Sequence, residues 1–221
     1  MAPLMTLDES LERLDALLPE REPEFWASLN RPVVEKDLDA LRRLLDPYEL
    51  HEELVALLRW HDGQRDSKHN EGAWPLIECG PLLSALGACE FFELDNHWAE
   101  SIDAGWWSAS WVPITAIRHS VAVVETAGPL DGLVINASFG EPKPTPCAQS
   151  LAALMRAICI LVEEGFPLRA GLGEGLTAKQ WIAREDAIRP FRAVYGDWLM
   201  RRAPILEEGS RHVGDSPAAD P

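Results

Sequence analysis

Leucines at positions 7, 11, 14 and 18 recur at helical spacing, and Thr6 stands three residues before Glu9. That pairing is a capping box, so the pattern predicts a short helix over Leu7–Leu18. Pro19 to Pro32 is a polar connection holding three prolines, with Phe25, Trp26 and Leu29 as anchors onto the body. Val33–Leu45 reads as a second helix, with Leu38, Leu41, Leu44 and Leu45 on its apolar face. Asp46, Pro47 and Glu49 then supply an N-cap, a first-turn proline and a third-position acid. The helix they open carries Leu50, Leu54, Leu57 and Leu58 and ends near Trp60. Gly63 stands where a left-handed C-terminal cap is wanted.

The period then shortens. Trp74–Glu78 is a strand candidate, and Leu82–Trp98 reads as partly helical, led by Ser84 and carrying Leu86, Phe91 and Leu94. Trp111–Ile114 reads as a short strand in which Pro113 marks an edge or a bulge. Ser120–Thr126 is apolar on both faces, as a covered central strand would be. Leu133–Phe139 alternates, with Leu133, Ile135, Ala137 and Phe139 inward and Asn136 and Ser138 outward. The turn cluster Gly128 to Gly132 joins these two strands into a hairpin. Pro142, Pro144 and Pro146 make the next connection stiff and non-helical. Gln149–Glu164 is a strongly apolar helix closed by Gly165, and Thr177–Arg202 a second long helical pattern kinked at Pro190. The polar residues from Gly209 to Pro221 read as a disordered tail. Helices, a meander of short strands and helices again predict an α+β fold with a mixed or antiparallel sheet flanked by helices. The segments divide as 1–32, an N-terminal helix and connection; 33–165, a core domain; 166–208, a helical extension packing on the core; and 209–221, the tail.

Composition adds less than charge does. The 221 residues carry 36 acids and 20 bases, a formal charge of −16. The excess sits at −7 over residues 1–60 and −9 over residues 61–165, while residues 166–221 are neutral. A field of that sign repels nucleic acid and anionic membrane and speeds encounter with a basic partner. The acidic N-terminus lacks the basic start and apolar run of a signal peptide, and Leu151–Val162 is too short to span a bilayer. Four cysteines without zinc-type spacing read as buried thiols in a reducing compartment, so the expected location is the cytoplasm.

Three candidate chemistries are weak. His51, His61, Asp62, Asp66, His69 and His97 recur over a short span but form no paired ligand spacing on a helix. Cys79, Cys89 and Cys159 sit in settings typical of structural thiols. Gly171 to Gly175 lacks the lysine and the preceding strand of a phosphate loop. No cofactor or metal is therefore expected. The aromatic passage is more informative, because Trp98, Trp106, Trp107 and Trp111 fall within a few turns of chain. Trp107 and Trp111 are expected to anchor the loop to the sheet. Trp98 and Trp106 remain as hot spots within an acidic rim. The candidate partner-binding set is thus Asp62, Asp66, Asp95, Trp98, Glu100, Asp103 and Trp106, facing a basic protein.

The order of landmarks over residues 33–165 resembles the SMI1/KNR4 (SUKH) family. A helix pair ends in Arg59-Trp60-His61-Asp62-Gly63; a Pro-Leu strand (Trp74-Pro75-Leu76-Ile77) and a leucine-serine helix (Leu83-Ser84-Ala85-Leu86) follow. Next come the tryptophan-rich passage Gly105 to Ile114, the hairpin through Gly132-Leu133-Val134-Ile135, and a final helix from Ser150-Leu151 to Gly165. The chain departs from the family at Arg118 to Glu125, where a Gly-Asp turn is usual. The resemblance implies a non-enzymatic, protein-binding domain. Bacterial members are often immunity proteins that neutralise a toxin domain, frequently a nuclease, and fungal members are regulatory scaffolds. An intracellular scaffold and a metal-dependent enzyme using the His61–His97 region are the alternatives.

Overall fold

The computed structural model describes residues 5–65, 80–102, 107–117, 120–138, 144–165 and 168. They form an α+β fold of six α-helices and a four-stranded antiparallel sheet in the order β1-β2-β3-β4. The helices are α1 (Leu7–Arg21), α2 (Pro23–Ser28), α3 (Glu35–Leu45), α4 (Glu52–Trp60), α5 (Ala85–Ile102) and α6 (Leu151–Glu163). The strands are β1 (Trp111–Ile117), β2 (Ser120–Glu125), β3 (Val134–Ser138) and β4 (Thr145–Ala148).

Helix α1 begins where its capping box places it. Glu9 N–H donates to Thr6 Oγ1 at 3.2 Å and Thr6 N–H donates to Glu9 Oε2 at 2.7 Å. It continues two residues past Pro19, and its leucines at 7, 11, 14 and 18 are all buried. The same helix lies along α6. Arg156 Nη1 donates to Met5 O at 2.6 Å, Cys159 Sγ to Ser10 O at 3.2 Å, and Arg13 pairs with Glu163 at 2.6 Å. Numbering rises together on both sides of that seam, so the two helices run parallel. Ser10, fully buried, keeps the backbones close by returning its own hydroxyl to Thr6 O.

The start of one helix and the two proline-rich connections differ from the sequence reading. Helix α4 opens at Glu52 rather than after Asp46, because Asp46 ends α3 and residues 46–51 turn the chain. Its N-cap is His51, whose Nδ1 accepts from Glu53 N–H at 3.3 Å. Strand β4 occupies the proline-rich connection with Pro146 opposite Ile135, and it is an edge strand, the place in a sheet where proline is tolerated. A short α2 also forms within the Pro19–Pro32 connection, and there Phe25 and Leu29 are buried as expected.

The sheet is covered on both faces. Val121, Val123, Ile135 and Ala137 are buried on one face, and Val112, Val124 and Val134 on the other. Strict inward–outward alternation in β3 therefore fails at Val134, and Asn136 is half-buried. Pro113 does mark an irregularity, since the β1–β2 register shifts between Pro113 and Thr115. Helix α5 packs on α3 and β1 through Ala85, Ala88 and Phe92, while Leu86 and Leu94 face outward. Trp107 and Trp111 are buried, edge to face at 5.7 Å, and Phe92 meets Trp107 at 6.4 Å. Both rings are buried, as the sequence implies for them. Among the described residues no helix is long and apolar enough to cross a membrane. Trp74–Glu78, Thr177–Arg202 and Gly209–Pro221 lie outside the described residues.

Candidate functional site

Of the partner-binding residues expected from sequence, Asp62 is fully placed, and it acts as a structural tie. Its Oδ1 accepts from Ala85 N–H at 2.7 Å and so caps α5 from a distant point in the chain. Its backbone carbonyl accepts from Asn30 Nδ2 at 2.7 Å. Burial raises the Asp62 carboxyl above the ordinary aspartate value, the Ala85 hydrogen bond opposes that, and Asp37 adds to it. Asp95, Trp98 and Glu100 fall on the later turns of α5, and their side chains lie outside the described residues. Asp66, Asp103 and Trp106 also lie outside them.

The histidines have separate duties. His51 caps α4, and its Nε2 side stands against Gly132, where a Cβ would come within 2.8 Å. His61 is held between indoles, 5.1 Å from the Trp26 ring and 4.6 Å from the Trp60 ring, both edge to face. Its Nδ1 bonds Asn30 O, and its Nε2 faces Asp15 Oδ1 at 4.0 Å. His97 is exposed on α5. Among the described residues no group of three or more His, Cys, Asp or Glu side chains converges as metal ligands would.

What the fold assembles instead is an open groove of about 930 Å3 between α1, the turn after α3, and α4. Buried Leu11 and half-buried Leu50, Val55 and Ala56 give it an apolar lining. Asp8, Glu12 and Asp15 stand at i, i+4 and i+7 on α1, which places them on one helix face. Glu49 and Glu52 add two more carboxylates, and Tyr48 and Trp60 contribute aromatic surface. Trp60 is fixed by Nε1–H donating to Asp15 Oδ1 at 2.6 Å.

The groove's two cations are already engaged. Arg42 Nη1 lies 2.6 Å from Glu35 and 2.8 Å from Asp39, and Arg59 Nη2 lies 3.5 Å from Glu35. Both acids are outside the groove. The Arg42 hydrogen bond draws the Glu35 carboxyl below the usual carboxylate range. Asp8, Glu12, Glu49 and Glu52 make no ion pair among the described residues. Asp8 and Glu52 occupy the first turns of their helices, where the helix dipole tolerates an uncompensated acid. The groove therefore presents unbalanced negative charge around an apolar floor.

No single stretch of sequence announces this site. Its walls come from two helices that meet only through tertiary packing, and the one local signal is the acidic spacing along α1. Compared with protein-family profiles and with curated proteins, the chain gives no match.

Proposed function

We propose that this chain is a non-catalytic binding domain that captures a basic protein in the α1–α4 groove, as an immunity-type protein of the SMI1/KNR4 kind would capture a toxin domain. The observation that carries the reading is the charge state of the groove. Among the described residues Asp8, Glu12, Glu49 and Glu52 are unpaired, Asp15 is engaged by Trp60 and faces His61, and the groove's arginines are neutralised from outside, so a cationic partner gains attraction at the first four without displacing an internal pair. Apolar floor and aromatic walls supply the desolvated contacts that fix a partner once it has been steered in. The order of landmarks along residues 33–165 supports the family part of the reading, and the charge of −16 supports a basic target. The toxin identity rests on the resemblance alone.

Calorimetry with a basic domain encoded beside this chain tests the proposal. One-to-one binding that weakens as salt rises is the expected result. An affinity indifferent to salt, or the absence of heat with every such neighbour, overturns it.

A further inference from the structure

The groove also carries information about the shape of its occupant. We infer that it receives an amphipathic helix of the partner, with arginines on one face at i, i+4 and i+7 and a leucine-sized residue among them. This inference rests on the binding reading above and narrows it to one recognition mode.

Three features of the groove point to a helix. First, Asp8, Glu12 and Asp15 share one face of α1, the last with its Oδ1 already accepting from Trp60. Seven residues at helical rise cover about 10 Å, so a second helix alongside offers side chains at the same repeat. Second, buried Leu11 adjoins that face and Val55 and Ala56 lie on α4, so the charged face borders an apolar strip. Helix-in-groove recognition uses that layout: apolar anchors at helical spacing flanked by charge. Third, Tyr48 and Trp60 offer ring surface in the same groove, and Trp60 is held in place by Asp15. A guanidinium can stack on such rings and pair with a neighbouring carboxylate, which an ammonium does less well.

The charge balance makes the choice of arginine specific. Arg42 and Arg59 are spoken for by Glu35 and Asp39, so an incoming anion would meet unpaired carboxylates and no free cation in the groove. An acidic or neutral helix with the same apolar face is thereby disfavoured.

The test uses the full chain and two synthetic alanine-based peptides of about 15 residues, a length at which such helices begin to hold in water. One carries its arginines and a leucine on one face; the other has the same composition with the arginines dispersed around the helix. Fluorescence anisotropy of labelled peptide reads binding to the wild type, to Glu12→Lys and to Glu12→Gln. Glu12 is exposed and makes no ion pair among the described residues, so an unchanged melting curve is expected for both variants. The one-face peptide should bind about tenfold tighter than the dispersed one, and Glu12→Lys should remove most of that advantage, with Glu12→Gln intermediate. Equal binding of the two peptides, both weakened by Glu12→Lys, overturns the helix and leaves the acidic groove as the binding surface. If neither peptide binds while a basic neighbouring domain binds in a Glu12-dependent way, the helix is likewise overturned and the reading stands. Binding of that domain indifferent to Glu12→Lys overturns both.

Discussion

Gly63, Gly128 and Gly165 all have left-handed φ angles, of +70°, +66° and +77°, yet they differ in what surrounds them. A Cβ at Gly128 or Gly165 would meet nothing within 4 Å, whereas one at Gly63 would run into the backbone of Leu83 and Ser84. Gly128→Ala should therefore cost only the conformational strain, about 1 kcal/mol. Gly63→Ala should cost about 3 kcal/mol or more, because the approach that lets Asp62 cap α5 must also open. Urea unfolding of the two variants checks the difference, and equal costs would show that strain alone keeps Gly63. The sequence marks Gly63 as a helix terminator. The structure gives it a second reason, since α4 already ends at Trp60 and the glycine serves the contact with residues 83–84. Asp62 beside it carries a pH consequence. Its folded carboxyl is raised above the unfolded one, so the native state holds the proton more tightly than the unfolded chain does. Stability from this group is therefore present below the unfolded value and falls as pH rises between the two values. Asp62→Asn keeps an oxygen to accept from Ala85 N–H and should remove that slope, whereas Asp62→Ala should lose the cap, about 1 kcal/mol. Unfolding midpoints measured across mildly acidic pH separate the two variants.

At the scale of elements, caps and periodicity made the outer helices legible and tertiary pairing hid the rest. Helix α6 follows Ser150 and ends before Gly165, as its sequence indicates, because both signals lie within a few residues of the helix. Its N-terminus has a second cap that no local pattern shows: Glu53 Oε2 on α4 accepts from Ala152 N–H at 3.0 Å, beside Ser150 Oγ accepting from Ala153 N–H at 3.1 Å. Ser150→Ala and Glu53→Ala should each destabilise by about 1 kcal/mol in thermal unfolding, with the circular dichroism of the folded state unchanged. A neutral Glu53→Ala would remove the α4–α6 tie from this account. Helix α5 was legible as a helix but not in its orientation. Leu86 and Leu94 look like core positions, yet small Ala85 and Ala88 face inward, where α5 meets α3 and β1. Strand β4 was hidden by its prolines, and the start of α4 by Asp46 and Pro47, which mimic a cap. Both are local rules overruled by neighbours distant in sequence. The acids of the groove were visible as charge, but the sequence drew attention to the tryptophan-rich passage instead.

Across the whole molecule, one apolar cluster runs from Leu7 and Leu14 of α1 through Val123 of β2 to Cys159 of α6. Helix α1 is thus part of the same core as the sheet. Cys159 reports on that core: burial, with the Glu163 charge adding to it, pushes its thiol up to about 12, and it is fully buried. At neutral pH a thiol reagent should label exposed Cys147 in the folded chain and reach Cys159 only as fast as the seam between α1 and α6 opens. Rapid labelling of Cys159 in native buffer would show that the seam opens without global unfolding. Helix α1 links this seam to the groove, because it packs on α6 and also borders the groove. The central claim is that a basic protein docks there, and hydrogen exchange by mass spectrometry on the complex with a basic neighbouring domain measures it directly. Slowed exchange in Leu7–Arg21 and Glu52–Trp60, lost when Glu12→Lys replaces the wild type, is the expected result. A footprint confined to α5 and the tryptophan-rich passage, with those two helices unchanged, would contradict it.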